Sequence, residues 1–170
     1  YLVNERDAPS QRRLADILYE AGNRTAPLGL YRMVLGIDSG MAEVWKRYAE
    51  LAAEAGSVKE AGTAFSRVMR LGNADARTFG AMGDMHLAAG KPADAVTMYE
   101  RALDRGANNP AALTGLGTAK LRTGDAAGAV IAFESALRFQ PDSIRLHRLV
   151  GDACIATGDT TRAMAAYRSF

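Results

Sequence analysis

The chain has 170 residues, 48% of them hydrophobic and 24% charged, a balance that supports a buried core and excludes a disordered polar chain. Twenty-one Lys and Arg stand against 19 Asp and Glu, and a net charge of +2 without basic blocks gives no electrostatic drive toward nucleic acid or an anionic membrane. A lone cysteine, Cys154, excludes a disulfide framework and a multi-cysteine metal site, and no apolar run approaches the roughly 18–20 residues that a membrane span needs.

The dominant signal is an internal period. Gly22, Gly56, Gly90, Gly124 and Gly158 lie 34 residues apart, and three further columns keep the same register. Nine residues after each glycine stand Tyr31, Phe65, Tyr99, Phe133 and Tyr167; five after it, from the second repeat on, stand Ala61, Ala95, Ala129 and Ala163. Seven before it stand Ala15, Ala49, Gly83, Gly117 and Gly151, all small. This pattern predicts five repeats, at about 8–41, 42–75, 76–109, 110–143 and 144–170, in one array preceded by an extension over 1–7. Each repeat should be a pair of antiparallel helices, ten in all with no strand, turning near its glycine.

In the first repeat Gly22-Asn23 marks the turn, and Pro27 takes the place of the second-helix alanine, which predicts a distorted or capping hairpin. The second repeat has Trp45 near its start, where the first has Gln11, and Gly56-Ser57 followed by Glu60 predicts a capping box. In the third, Pro92 suits a first helical turn, and His86 reads as a packed or half-buried residue. The fourth is the most regular: Pro110 opens it, then Leu113, Leu116, Gly117 and Leu121 form one apolar stripe, Gly124-Asp125 interrupts, and Ala129, Val130, Phe133, Ala136 and Leu137 form a second. Gly124 permits the positive φ of a helix end, and Asp125 caps the next helix. Lys120, in a mainly apolar column, must either snorkel to water or find an acid, and the first is the expectation. In the fifth repeat His147 shares the Trp45 column, Cys154 reads as a small buried hydrophobe, and Gly158-Asp159 repeats the punctuation. Where the helices of a hairpin cross, the small column should let the backbones approach while the aromatic fills the space beside it.

These residues resemble the tetratricopeptide repeat, with its pattern W-x2-L-G-x2-Y, then A-x3-F, then P. The fourth repeat carries Leu113-x2-Leu116-Gly117, Ala129-x3-Phe133 and Pro141, and the second carries Trp45 itself. The resemblance spans Ala8 to Phe170 and implies an all-α solenoid of helical hairpins whose first helices line a concave groove that binds peptides or proteins. Three residues before each small column, and four after each repeat start, stand Arg12, Lys46, Gly80, Thr114 and Arg148, so the groove then carries a partly basic row; Arg77 adds to it in the third repeat. Beside it run Asp16, Glu50, Asp84, Thr118 and Asp152, and an apolar row of Tyr19, Ala53, Leu87, Leu121 and Ile155. The acidic row should favour Lys or Arg on a partner. The plainer alternative is that Arg12 with Asp16, Lys46 with Glu50 and Arg148 with Asp152 are i,i+4 pairs on a solvated face. Members of the family that clamp a C-terminal carboxylate use asparagines and an arginine in places held here by Asp16, Glu50 and Asp84, which would repel it.

No P-loop, H-E-x-x-H or G-x-S-x-G occurs, so no catalytic residue, cofactor or metal site is expected. The resemblance implies a protein-interaction scaffold, in its more specific form an assembly factor of a bacterial pilus or secretion machine; the alternative is a regulatory or substrate-presenting region of a larger enzyme. The start at Tyr1, without Met or a signal pattern, predicts a processed end or an internal boundary, and a lipidated cysteine upstream would place the protein at the bacterial envelope rather than in the cytoplasm. The fifth repeat stops at Phe170 without a polar capping helix, which predicts a longer protein, or an open end covered by a partner or a second copy.

Overall fold

The computed structural model describes residues 7–169, so most of the expected extension over 1–7 lies outside the described residues. Ten helices are present among them, and no strand. They are α1 (Ala8–Glu20), α2 (Ala26–Ile37), α3 (Ala42–Glu54), α4 (Val58–Arg70), α5 (Ala76–Ala88), α6 (Pro92–Arg105), α7 (Pro110–Arg122), α8 (Ala126–Leu137), α9 (Ile144–Thr157) and α10 (Thr160–Tyr167). Contacts divide the chain into two compact units. The first holds the hairpins α1–α2 and α3–α4; the second holds α5–α6, α7–α8 and α9–α10. In the first unit Tyr31, Val34, Val44, Leu51, Phe65 and Val68 are fully buried. In the second, Phe133, Leu146, Val150 and Cys154 share one core cluster with the small residues Ala129, Ala153 and Ala163.

The glycine punctuation works as a helix stop. Gly22, Gly56, Gly90, Gly124 and Gly158 all have φ between 70° and 88°, the left-handed conformation that a side chain disfavours. The residue after each glycine donates its N–H back to Leu18, Ala52, His86, Lys120 or Cys154, at 2.8–2.9 Å, and closes a Schellman turn over the exposed carbonyls of the first helix. Starts of the second helices follow the side chains available. Asp125 accepts from the Gly128 N–H at 2.8 Å, and Asp159 from the Arg162 N–H at 2.9 Å.

Three local expectations change. The capping box at Ser57 is not formed: the Ser57 side chain makes no cap, and Glu60 is drawn instead to Arg32, at 2.8 and 2.9 Å, and to the Tyr48 hydroxyl at 3.0 Å. Lys120 does not run free to water but reaches Asp125 at 3.0 Å, because the Schellman turn brings that carboxylate back over its own helix end. The first hairpin is altered only in its loop. Starts of α4, α6, α8 and α10 keep the period, whereas α2 begins two residues late, at Ala26. A helix starting in register would put Pro27 where its missing N–H breaks the first helical bond; the delay places Pro27 in the first turn, where that N–H has no partner to lose. Asn23 bridges the gap by accepting from the Thr25 and Ala26 N–H groups, both at 3.0 Å.

Hairpin crossings in the second unit depend on absent side chains. A Cβ on Gly83 would lie 2.6 Å from the Tyr99 ring, and one on Gly117 2.5 Å from the Phe133 ring; Gly151 stands in the same relation to Tyr167. A tyrosine at the crossing also reaches past the first helix to a carboxylate 15 residues earlier. Tyr31 donates to Asp16 at 2.7 Å, Tyr99 to Asp84 at 2.6 Å and Tyr167 to Asp152 at 2.7 Å. Where the crossing residue is Phe, as at Phe65 and Phe133, the partner column holds Glu50 and Thr118 rather than Asp. Aspartate and tyrosine therefore enter the repeats together, as a hydrogen-bonded bolt between the helices of one hairpin.

Two outcomes follow from this packing. Gly117→Leu should lower stability by about 1–3 kcal/mol or more, because the added volume meets the buried Phe133 ring. Gly106→Ala, whose Cβ would meet Ala76 Cβ at 3.3 Å and the Ala102 carbonyl at 4.0 Å, should cost much less, and urea melts of the two variants compare them directly. Burial, with the Asp84 bond second, raises the Tyr99 phenol pKa above the usual tyrosine value; burial does the same for Tyr31. Folding thus favours the neutral phenol, so the stability it contributes is complete below about pH 10 and is lost as pH rises beyond it. Tyrosinate absorbance should show Tyr31 and Tyr99 ionising only as the protein unfolds, and Tyr99→Phe should flatten the alkaline loss of stability.

Candidate functional site: a cavity on the first helices of the second unit

The candidate residues of the first unit are engaged with one another. Asp16, besides Tyr31, accepts from Arg47 at 2.6 Å and has Arg12 at 3.7 Å. Tyr19 donates to the buried Glu50 at 2.7 Å, and its ring lies under the guanidinium groups of Arg24 and Arg47, at 4.9 and 5.2 Å. Lys46 reaches Glu43 at 3.1 Å. Arg47 also lies 3.7 Å from Glu20, so its guanidinium serves two carboxylates and one ring. This face is a closed electrostatic network, in which the carboxylates that were expected to attract a partner already have internal cations or donors.

The second unit is different. On α5 and α7, Asp84, Leu87, Thr114 and Thr118 line a cavity of about 460 Å³ together with Tyr99, Pro110, Ala111, Gly115, Gln140 and Arg145. Four residues expected in the groove thus meet in one concavity. The Thr114 and Thr118 hydroxyls donate to the carbonyls of Pro110 and Thr114, at 2.7 and 2.9 Å, which leaves their oxygen lone pairs toward the open side. Asp84 takes the Tyr99 proton on Oδ1, while its Oδ2 accepts from no other side chain among the described residues. Arg122 donates to the Leu87 carbonyl at 3.1 Å and so ties α7 to α5.

The remaining candidates lie elsewhere. Arg77 is exposed in the first turn of α5, and Leu121 is half-buried against the core. Arg148, Asp152 and Ile155 are exposed on α9, with Asp152 held by Tyr167. Sequence reasoning missed Tyr99, Gly115, Gln140 and Arg145 as site residues. A signal existed for the first two: the pairing of Tyr with Asp in columns 15 apart, and the exchange of Arg47 for Gly115 two repeats later in one column.

The histidines have structural roles. His86 is half-buried, 3.8 Å from Asp94, and the His147 ring donates to the Pro141 carbonyl at 2.8 Å, much as Trp45 donates to Ser39 at 2.9 Å. Burial raises the Cys154 thiol pKa above its ordinary value and keeps it as a protonated core group. No described helix is long and apolar enough to cross a membrane.

Comparison with known proteins agrees with this architecture. The tetratricopeptide-repeat family model matches residues 81–144. No curated protein matches by sequence. Among solved structures, MamA superposes with a TM-score of 0.85 at 18% identity, covering 95% of this chain and 88% of that one. A MamA segment from Desulfovibrio magneticus RS-1 gives 0.86 at 17% identity, over 99% and 94% of the two chains. YrrB, described as a repeat protein of this kind with an unusual peptide-binding site, gives 0.82 at 19% identity, over 98% and 86%. At such identities the likeness establishes the fold. With the family model matched over 81–144 and a 34-residue register running through every hairpin, the chain is built from tetratricopeptide-type helical hairpins.

Proposed function

We propose that this protein is a non-catalytic interaction scaffold that holds an extended segment of a partner protein in the cavity between α5 and α7. The observation that carries this reading is the cavity itself: about 460 Å³, built on first helices, with hydroxyl oxygens, an amide, a carboxylate and a guanidinium around the apolar Leu87 and Pro110. Such a mixture of apolar surface and spaced polar groups suits a peptide, whose main chain offers donors and acceptors and whose side chains offer apolar contact. YrrB, a peptide binder by description, shares the fold, which supports the reading at the level of architecture.

The more specific role is assembly of a bacterial pilus or secretion machine. It accords with a repeat scaffold that carries no chemistry of its own, and fractionation of the native protein tests it: recovery with the envelope is expected, and recovery only with soluble cytoplasmic protein overturns it.

A photo-reactive amino acid at Leu87 or Thr114 should crosslink a partner in cells of the native organism, while one at Ile131, which is 67% exposed on α8, should not. Thr118→Trp, which fills the cavity, should lower capture at Leu87 at least tenfold with little change in melting temperature. Capture at Ile131 alone would move the binding surface to the second helices.

A further inference from the structure

We propose that the cavity contains a subsite for an arginine side chain of the partner, with the guanidinium seated on Asp84 and the Tyr99 hydroxyl. This rests on the reading of the cavity as a peptide site and names the side chain that it selects.

Two places in the chain are related by 68 residues, two full repeats. Asp16, Tyr31 and Arg47 correspond to Asp84, Tyr99 and Gly115. The bolt is the same in both: Tyr31 donates to Asp16 at 2.7 Å, and Tyr99 to Asp84 at 2.6 Å. In the first unit the next helix supplies Arg47, whose Nη1 donates to Asp16 Oδ1 at 2.6 Å and lies 3.4 Å from the Tyr31 oxygen. In the second unit the same position is glycine. A Cβ on Gly115 would fall against the Tyr99 ring and hydroxyl, so α7 passes too close to carry a side chain there, and the space that Arg47 fills in the first unit becomes part of the cavity.

The first unit therefore displays, within the chain, the interaction that the second leaves open. A guanidinium is a planar fork of donors, and a carboxylate fixed by a phenol beside a phenolic oxygen with its lone pairs free is a two-point acceptor for it. An ammonium matches it less well, being a point charge without the fork. Leu87 occupies the register of Tyr19, whose ring carries the Arg47 guanidinium in the first unit, and so offers an apolar wall to the arginine stem. Glu20, the second acid near Arg47, has Ala88 as its counterpart, so Asp84 is the anion of this subsite.

The cations nearby do not cancel it. Arg122 is turned to the Leu87 carbonyl, and no ion pair joins Arg145 to Asp84 among the described residues. Arg145 and Gln140, on the part of the lining supplied by α9 and the loop before it, are left to meet carbonyl or carboxylate oxygens of the same segment, which orients it with its cationic group toward α5.

The test uses N-acetyl-arginine amide as the probe, with the citrulline analogue, which keeps the shape and loses the charge, as the control. Amide chemical shifts of the intact chain should change saturably at Asp84 and Gly115, with an apparent affinity for the arginine probe at least tenfold above that for citrulline. Asp84→Asn retains an oxygen for the Tyr99 proton, so it should leave the melting temperature nearly unchanged and lower affinity at least tenfold. Asp16→Asn should not alter probe binding, since Arg47 already occupies that carboxylate. Equal binding of arginine and citrulline, or of wild type and Asp84→Asn, overturns the subsite. If crosslinking at Leu87 and Thr114 still captures a partner in that event, the cavity remains a peptide site with a different preference; if that capture fails as well, both readings fall.

Discussion

The structure depends on how closely a second helix can approach the first at the hairpin crossing. In the second unit that approach is possible because Gly83, Gly117 and Gly151 carry no side chain, and the space is taken by the rings of Tyr99, Phe133 and Tyr167. A single methyl group at any of these glycines would meet a ring well inside van der Waals distance. In the first unit the column holds Ala15 and Ala49, both fully buried, so the tolerance there is one methyl group larger. Helix propensity runs against glycine in a helix interior, by about 1 kcal/mol relative to alanine. The recurrence of glycine at this crossing shows that packing outweighs propensity, as expected where tertiary contacts supply most of the stability of short helices.

The identity of the crossing ring then decides the chemistry of the opposite face. A phenylalanine ends in the core. A tyrosine brings a hydroxyl through to the first helix, where Asp16, Asp84 and Asp152 accept from it; for the buried Tyr31 and Tyr99 such a partner is a requirement. Each of these aspartates is thereby fixed in place on the face where the first helices are exposed. What began as a requirement of the core becomes an ordered carboxylate on a surface, available to whatever the neighbouring helix or a partner can offer.

Repetition makes the contrast between the units informative. The same bolt is covered in one by Arg47, which also satisfies Glu20 and stacks on Tyr19, and left open in the other by Gly115. The two units share backbone register and differ in what fills one position. Binding capacity in a repeat protein can arise in this way, where one copy of a motif lacks the internal side chain that covers another copy.

The sequence by itself determined the fold, the turns within the hairpins and the small and aromatic columns, because those depend on periods and local turn chemistry that recur with fixed spacing. Gly22, Gly56, Gly90, Gly124 and Gly158 could be assigned to helix ends from spacing alone, since only residues close in the chain decide a Schellman turn. The acidic row was equally legible as a row, but its meaning was not. Whether Asp16 and Asp84 are free charges depends on Tyr31, Arg47, Tyr99 and Gly115, which lie 15 to 31 residues further along and come together only when helices pack. The capping box at Ser57 failed for the same reason: Glu60 was within reach of its own helix start, yet Arg32 and Tyr48, brought in from two other helices, held it more strongly. Charge and hydrogen-bond partnership between distant segments is a property of the packed state, and only the tertiary structure decided it.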